Sequence, residues 1–199
     1  MRELLVATNN PGKLGEFRRL LSHLPVRVLS PGEIGLRLDV PEPYDTYAEN
    51  ATAKAIAFCR LSRRLTLADD SGIEVAALDW GPGVHSARFG GTDVTDNATH
   101  LLERLRGADD RRARMVCWLA LAIPGAEPDD EPEVELFSGT VEGRVTTERR
   151  GEAGFGYDPI FELPDGRTNA ELAPGEKDRI SHRGRAVTAA APRIRGLAL

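Results

Sequence analysis

Cysteine is scarce in this chain: Cys59 and Cys117 are the only two in 199 residues, and they form no CxxC pair. That excludes a disulfide framework or a thiolate zinc site and leaves two reduced core thiols. An excess of positive charge is also missing. Asp and Glu number 31 against 26 Lys and Arg, a formal net charge of -5, which opposes the broad basic surface of a nucleic-acid binder. A small anionic ligand needs only a local basic site. Long hydrophobic runs are absent too: the apolar run at residues 4–7 is short, no signal-type h-region follows Met1, and nothing later approaches a membrane span. The expectation is a cytoplasmic protein with no membrane or nucleic-acid partner. No internal repeat or low-complexity tract occurs. What is present, 41% hydrophobic and 29% charged residues, suffices for one compact enzyme, a single domain over residues 1–199 or two closely joined lobes.

Residues 4–7 read as a buried strand closed by the turn-forming Asn9-Asn10-Pro11-Gly12. Leu14, Phe17, Leu20, Leu21 and Leu24 then recur at helical spacing until Pro25. Val26 to Leu29 predicts a second strand, residues 30–44 a surface excursion, and the alanine-rich stretch 48–61 a helix with one packed face. Residues 65–68 predict a strand that ends in Asp69-Asp70-Ser71-Gly72, before the apolar segment 73–78. The glycine-rich stretch 81–91 predicts a long loop, and 95–105 a helix. Residues 114–123 are apolar on both faces, as in a central strand, with 134–147 as its antiparallel partner across the acidic loop 124–132. Residues 185–191 predict a C-terminal helix. The order of elements implies an α/β fold, a mixed β-sheet with flanking helices, in which a central cleft between two lobes would be the natural site.

Three constellations could carry chemistry. Thr8-Asn9-Asn10-Pro11-Gly12-Lys13 lies between a strand and a helix, where backbone N–H groups favour phosphate and Lys13 adds a positive charge. It lacks the GxxxxGK[ST] spacing of a Walker A loop, and an Asn-Pro-Gly turn can equally be structural. Asp69 and Asp70 are adjacent strand carboxylates and so point to opposite faces; one can bind metal or activate water while the other supports it, or both can cap the Ser71-Gly72 turn. Glu42 and Glu49 supply further carboxylates for a hard divalent ion such as Mg2+, which prefers one or two such oxygens plus substrate phosphates. Toward the C-terminus, Lys177, His182, Arg183 and Arg185 follow Phe155, Tyr157 and Asp158. Aromatics can stack on a base, Asp158 can accept from a ring N–H, and the cations can bind phosphate or a carbonyl oxygen; a solvated basic helix beside a buried aromatic cluster gives the same pattern. Ser181-His182 is no nucleophilic pair, because neighbouring residues seldom have the mutual geometry.

Together these segments resemble the inosine/xanthosine triphosphate pyrophosphatase family. The matching blocks are Ala7-Thr8-Asn9-Asn10 with Lys13 and Glu16; Thr46-Tyr47-Ala48-Glu49-Asn50-Ala51 with Lys54; Ala68-Asp69-Asp70-Ser71-Gly72 running on to Pro82-Gly83 and Ser86-Ala87-Arg88; Gly154-Phe155-Gly156-Tyr157-Asp158-Pro159; and Ser181-His182-Arg183-Gly184. The resemblance implies a two-lobed homodimer that converts ITP, dITP and XTP to the monophosphate and pyrophosphate with Mg2+. It implies that Thr8, Asn9, Asn10, Pro11, Gly12 and Lys13 bind the triphosphate, that Glu42 and Asp70 hold Mg2+, and that Asp70 accepts the proton of the attacking water. Ser71 would touch substrate; Phe155, Gly156, Tyr157, Asp158, Lys177, His182 and Arg183 would form the base and ribose site; Asp69 and Lys54 would support metal and phosphates. Glu42 sits in a loop whose Pro41, Pro43 and Tyr44 depart from the family's usual sequence, so Glu49 competes for its role. The rivals are a septum-associated pyrophosphatase acting on other modified nucleotides and a nucleotide-binding regulator without turnover.

Overall fold

The computed structural model describes residues 1–91 and 96–198. Strands β1 (Arg2–Val6), β2 (Val26–Leu29), β3 (Leu65–Val75), β4 (Gly81–Pro82), β5 (Arg112–Ile123), β6 (Glu133–Val145) and β7 (Phe161–Glu162) join one sheet in the order β2-β1-β3-β5-β6-β7, with β4 on β3. β1 runs parallel to β2 and to β3, whereas β4 is antiparallel to β3 and β7 to β6, so the sheet is mixed. The helices are α1 (Pro11–Leu20), α2 (Tyr47–Ser62), α3 (Asn97–Arg104), α4 (Pro174–Ile180) and α5 (His182–Ala198). The expected α/β class with a mixed sheet and flanking helices is the one observed. No helix among the described residues is long and apolar enough to cross a membrane.

By backbone contacts the chain divides into two compact units: Met1–Asp70, Cys117–Gly139 and Arg183–Leu199 form the first, and Ser71–Val116 with Thr140–His182 the second. The period of two along a strand organises the first. Leu4 and Val6 of β1, Leu65 and Leu67 of β3, and Cys117, Leu119 and Leu121 of β5 face one way, onto Phe17 and Leu21 of α1 and Ala186, Val187, Ala190 and Ile194 of α5. Leu5, Ala68, Ala120 and Ala122 face the other way, onto Ala51, Ala55, Phe58 and Cys59 of α2. Small alanines on both sides let α2 approach the sheet closely. Both cysteines are free and buried, and burial pushes the Cys117 thiol up to about 12. The second unit has its own core, built from Ile73, Val75, Leu101, Leu105, Met115, Val145, Ile160 and Phe161.

Four expectations need correction. Asp69 and Asp70 do not end a strand: β3 continues through Ser71-Gly72 to Val75, because a place in the sheet overrides the turn preference of that dipeptide. Pro11, Gly12 and Lys13 are not loop; they form the first turn of α1, with Asn10 as N-cap and Pro at the first helical position. Residues 81–91 are not an irregular loop, since they hold β4 and a 3-10 turn over Gly83–Arg88. Residues 30–44 are not wholly a surface excursion: Ile34, Leu36, Leu38 and Val40 lean on the α2-side core. Thr95, with which the third helix was expected to begin, lies outside the described residues.

The packing predicts a contrast. Phe17 is 1% exposed and Leu61 60%, so Phe17→Ala should cost about 3 to 5 kcal/mol and Leu61→Ala no more than about 0.5 kcal/mol. Urea midpoints that fell equally for both would contradict this core.

Candidate active site

In the first unit, β1 hands over to α1 through a short rigid turn. The Thr8 hydroxyl accepts the Asn10 N–H at 3.2 Å and the Asn10 side chain accepts the Lys13 N–H at 3.0 Å. Lys13 therefore starts from a fixed backbone, and its ammonium lies 3.0 Å from Asp69 Oδ2. Asp69 is on the strand face shared with Leu65 and Leu67, the side of α1 and α5. There Arg183 of α5 donates to Asp69 Oδ2 at 3.1 Å and to Glu16 Oε2 at 2.5 Å, its guanidinium 5.6 Å above the Phe17 ring. The Lys54 ammonium donates to the Asp69 carbonyl at 3.0 Å. Burial alone would favour the neutral carboxyl, but Lys13, Arg183 and Lys54 outweigh it and hold Asp69 far below the usual carboxylate range.

Asp70, one residue on, faces the α2 side. Asn50 of α2 donates to its Oδ2 at 3.1 Å, and Asn50 also exchanges hydrogen bonds with the Tyr44 backbone, both at 3.1 Å. One amide thus orients the carboxylate and pins the loop that carries Glu42. Glu42 forms a close ion pair with Lys54. Asp70 is 5% exposed; burial, then the Glu42 charge, push its carboxyl up to about 6 against the opposing pull of Lys54, Asn50 and Lys13. Two neighbouring carboxylates of one strand are therefore shifted in opposite directions. Glu49 is elsewhere: it is exposed, accepts the Thr46 hydroxyl at 2.6 Å and caps α2 while its N–H donates back to Thr46 at 3.2 Å. Of the two competing glutamates, Glu42 is the one whose charge reaches Asp70.

In the second unit, the Asp158 carboxylate is 3% exposed and organises the turn around it. Its Oδ2 accepts the Phe155 N–H at 2.8 Å and the Lys177 ammonium at 2.6 Å; its Oδ1 accepts the Asn169 amide at 3.3 Å. Lys177 also lies 5.1 Å above the Phe155 ring. The Tyr157 hydroxyl donates to the Ser86 carbonyl at 2.7 Å, so this ring is tethered. His182, 8% exposed, begins α5, and Ser71 lies in β3 directly after Asp70.

These placements sort the residues expected from sequence. Lys13, Glu42, Lys54, Asp69 and Asp70 come together in the first unit with Thr8 and Asn10 behind them; Phe155, Asp158 and Lys177 come together in the second. Arg183, expected beside a base, is buried between Glu16 and Asp69. Asp158, expected to accept from a base, already accepts three protein donors. Sequence reasoning gave no role to Asn50 or Asn169. Asn50 left a signal, a poor helix former on an otherwise alanine-rich helix; Asn169 left none.

The fold and the first unit's site define the class: an α/β protein with a cation-bearing helix start next to two unlike carboxylates, suited to a phosphorylated ligand. The chain belongs to the Ham1 family, whose model matches residues 4–193. It is 46% identical over 193 residues to a Geobacillus kaustophilus protein named dITP/XTP pyrophosphatase, covering 94% of this chain and 92% of the relative. The solved structure of the Staphylococcus aureus Ham1 protein superposes with a TM-score of 0.83 at 37% identity, covering 98% of this chain and 100% of that one. A HAM1 protein from Coxiella burnetii gives 0.82 at 40% identity, covering 98% of each.

The charge state of Asp70 predicts a pH effect on the metal-free protein. A carboxyl raised from 3.8 to about 6 binds its proton more tightly folded than unfolded, so stability falls as pH rises from about 4 to about 6 and the loss persists above. The full penalty is about 3 kcal/mol. Asp70→Asn should therefore raise the melting temperature in chelator at pH 8, and the gain should vanish near pH 4. A lower melting temperature at pH 8 would contradict it.

Proposed function

We propose that this chain hydrolyses deaminated purine nucleoside triphosphates, ITP, dITP and XTP, to the monophosphate and pyrophosphate. The observation that carries the reading is the contrast between Asp70, a buried carboxyl beside Glu42 that holds its proton up to about 6, and its neighbour Asp69, which is anchored to Lys13 and shifted the opposite way. Membership of a family with relatives named dITP/XTP pyrophosphatase supports the substrate class.

Asp70 is the proton acceptor: with a carboxyl near 6 it is ionised at pH 8 yet basic enough to take a proton from water attacking the α-phosphorus. The bond from that phosphorus to the bridging oxygen breaks and pyrophosphate departs. Lys13 and the first-turn N–H groups of α1 bind phosphate oxygens. Asp69 keeps Lys13 and Lys54 in position, and Arg183 keeps Asp69 in position, so Arg183 has a supporting role and not a base contact. Base reading falls to Phe155 and Lys177 with His182, and Asp158 holds the first two.

Mg2+ belongs to the proposal. Glu42 and Asp70 fit it as two carboxylates whose charges act on each other: burial and then the Glu42 charge raise the Asp70 carboxyl, and a cation would offset both. Among the described residues no group of three or more His, Cys, Asp or Glu forms a ready cage, as expected of an ion that takes one or two carboxylates and completes its shell with water and phosphate. When bound, Mg2+ would neutralise phosphate charge and acidify water. The cytoplasmic homodimer implied by the family resemblance completes the reading.

Glu42→Gln should raise the Mg2+ concentration for half-maximal rate severalfold and Glu49→Gln should not; the reverse order in a Mg2+ titration would move the ligand to the start of α2. A steady-state panel tests the activity itself. ITP and XTP should be used with far higher kcat/KM than ATP, because the 6-carbonyl accepts from donors that an amino group would leave unpaired. Asp70→Asn should lose about 100-fold or more in rate while still binding ITP. Equal efficiency on ATP and ITP, or release of orthophosphate alone, would overturn the proposal.

A further inference from the structure

The segment carrying Phe155 is docked on the 3-10 turn Asn169–Glu171. Ala153 N–H donates to the Ala170 carbonyl at 3.1 Å, and the Thr168 hydroxyl donates to the Arg150 carbonyl at 2.8 Å. Gly151 and Gly154 have positive φ; a Cβ on Gly151 would overlap the Ala170 backbone and one on Gly154 the Asp158 carboxylate. The turn is itself rigid, closed by a capping box between Thr168 and Glu171. From this platform Asn169, 2% exposed, sends its amide to Asp158 Oδ1 at 3.3 Å and to the Met115 sulfur at 3.3 Å.

Asp158 has two oxygens with different tasks. Oδ2 holds the Phe155 N–H and Lys177 together; Oδ1 accepts only from Asn169 among the hydrogen bonds of the described residues. A buried carboxylate oxygen without a donor is costly, and a carboxylate fixed at one oxygen only can rotate about its Cβ–Cγ bond. Rotation would separate the Phe155 turn from Lys177. We propose that Asn169 is a positioning residue for base recognition: by fixing Asp158 Oδ1 it keeps Phe155 and Lys177 in register. This rests on the reading of Phe155 and Lys177 as base-contacting groups, and it places specificity partly in a residue that touches no ligand.

The consequence is a split between binding and chemistry, because Asp70 and its partners belong to the other unit. The test compares ITP and ATP hydrolysis by wild type, Asn169→Ala, Asn169→Leu and Met115→Leu, each shown to be folded by a thermal melt. Leucine keeps the branched shape of asparagine, with more bulk, and donates nothing, so an effect shared with the smaller alanine reports the hydrogen bond and not packing, and leucine carries the test if the alanine variant does not fold. Asn169→Ala and Asn169→Leu should each raise KM for ITP about tenfold and lower the ITP-over-ATP preference by a similar factor, with kcat within about twofold of wild type. Met115→Leu should leave both constants unchanged, since the sulfur contact is incidental to Asp158. A wild-type KM and preference in Asn169→Leu, or a loss confined to kcat, overturns the role of Asn169. If wild type itself does not prefer ITP to ATP, the base-site reading falls and this inference with it; if wild type discriminates and Asn169→Leu does so equally, only the inference falls.

Discussion

Asp69 carries a full negative charge in the protein interior because Lys13 and Arg183 meet its carboxylate and Lys54 its carbonyl. That neutralisation is what the rest of the first unit's site depends on, since the same three cations are fixed by it. Removing one partner of a buried pair costs about 3 to 5 kcal/mol because the other is left uncompensated. The interaction ties the start of α1, the middle of β3, α2 and the start of α5 to one point. A strand is the means: successive residues face opposite sides, so one carboxylate meets Lys13 and Arg183 and the next meets Asn50 and the Glu42 charge.

The second unit applies the same economy to a different end. Asp158 is also a buried carboxylate saturated by protein donors, and it too serves by holding other groups, the Phe155 turn and Lys177. In each unit a buried acid is matched to a lysine, Asp69 to Lys13 and Asp158 to Lys177.

Much of this was legible in the sequence. The period of two sets the opposed faces of Asp69 and Asp70, helical spacing marks α1, and alanine-rich composition marks α2 and residues 185–191 of α5. The turn signals misled where a sheet partner decided the outcome: Ser71-Gly72 reads as a turn, yet β3 runs through it, and the glycines of residues 81–91 conceal a strand and a 3-10 turn. The start of α1 is readable, since Asn10 followed by Pro11 is an N-cap and first-helical-position pair, although the hydrophobic spacing begins only at Leu14 and by itself leaves residues 11–13 as loop. The roles of Arg183 and Asp158 could not be read, because a charged residue in a motif looks the same whether its partner is a ligand or another side chain. Asn169 was invisible for a related reason: its importance lies in what it holds, and a hydrogen-bond partner far along the chain leaves no local pattern.

The surroundings of the two adjacent aspartates of β3 give them opposite proton affinities. Carbon-detected NMR titration of the side-chain carboxyls in metal-free protein tests it most directly. Asp69 should stay ionised to the lowest pH at which the protein remains folded, while Asp70 titrates near 6. Two aspartates titrating together near 4, the value of a solvated carboxyl, would contradict the account.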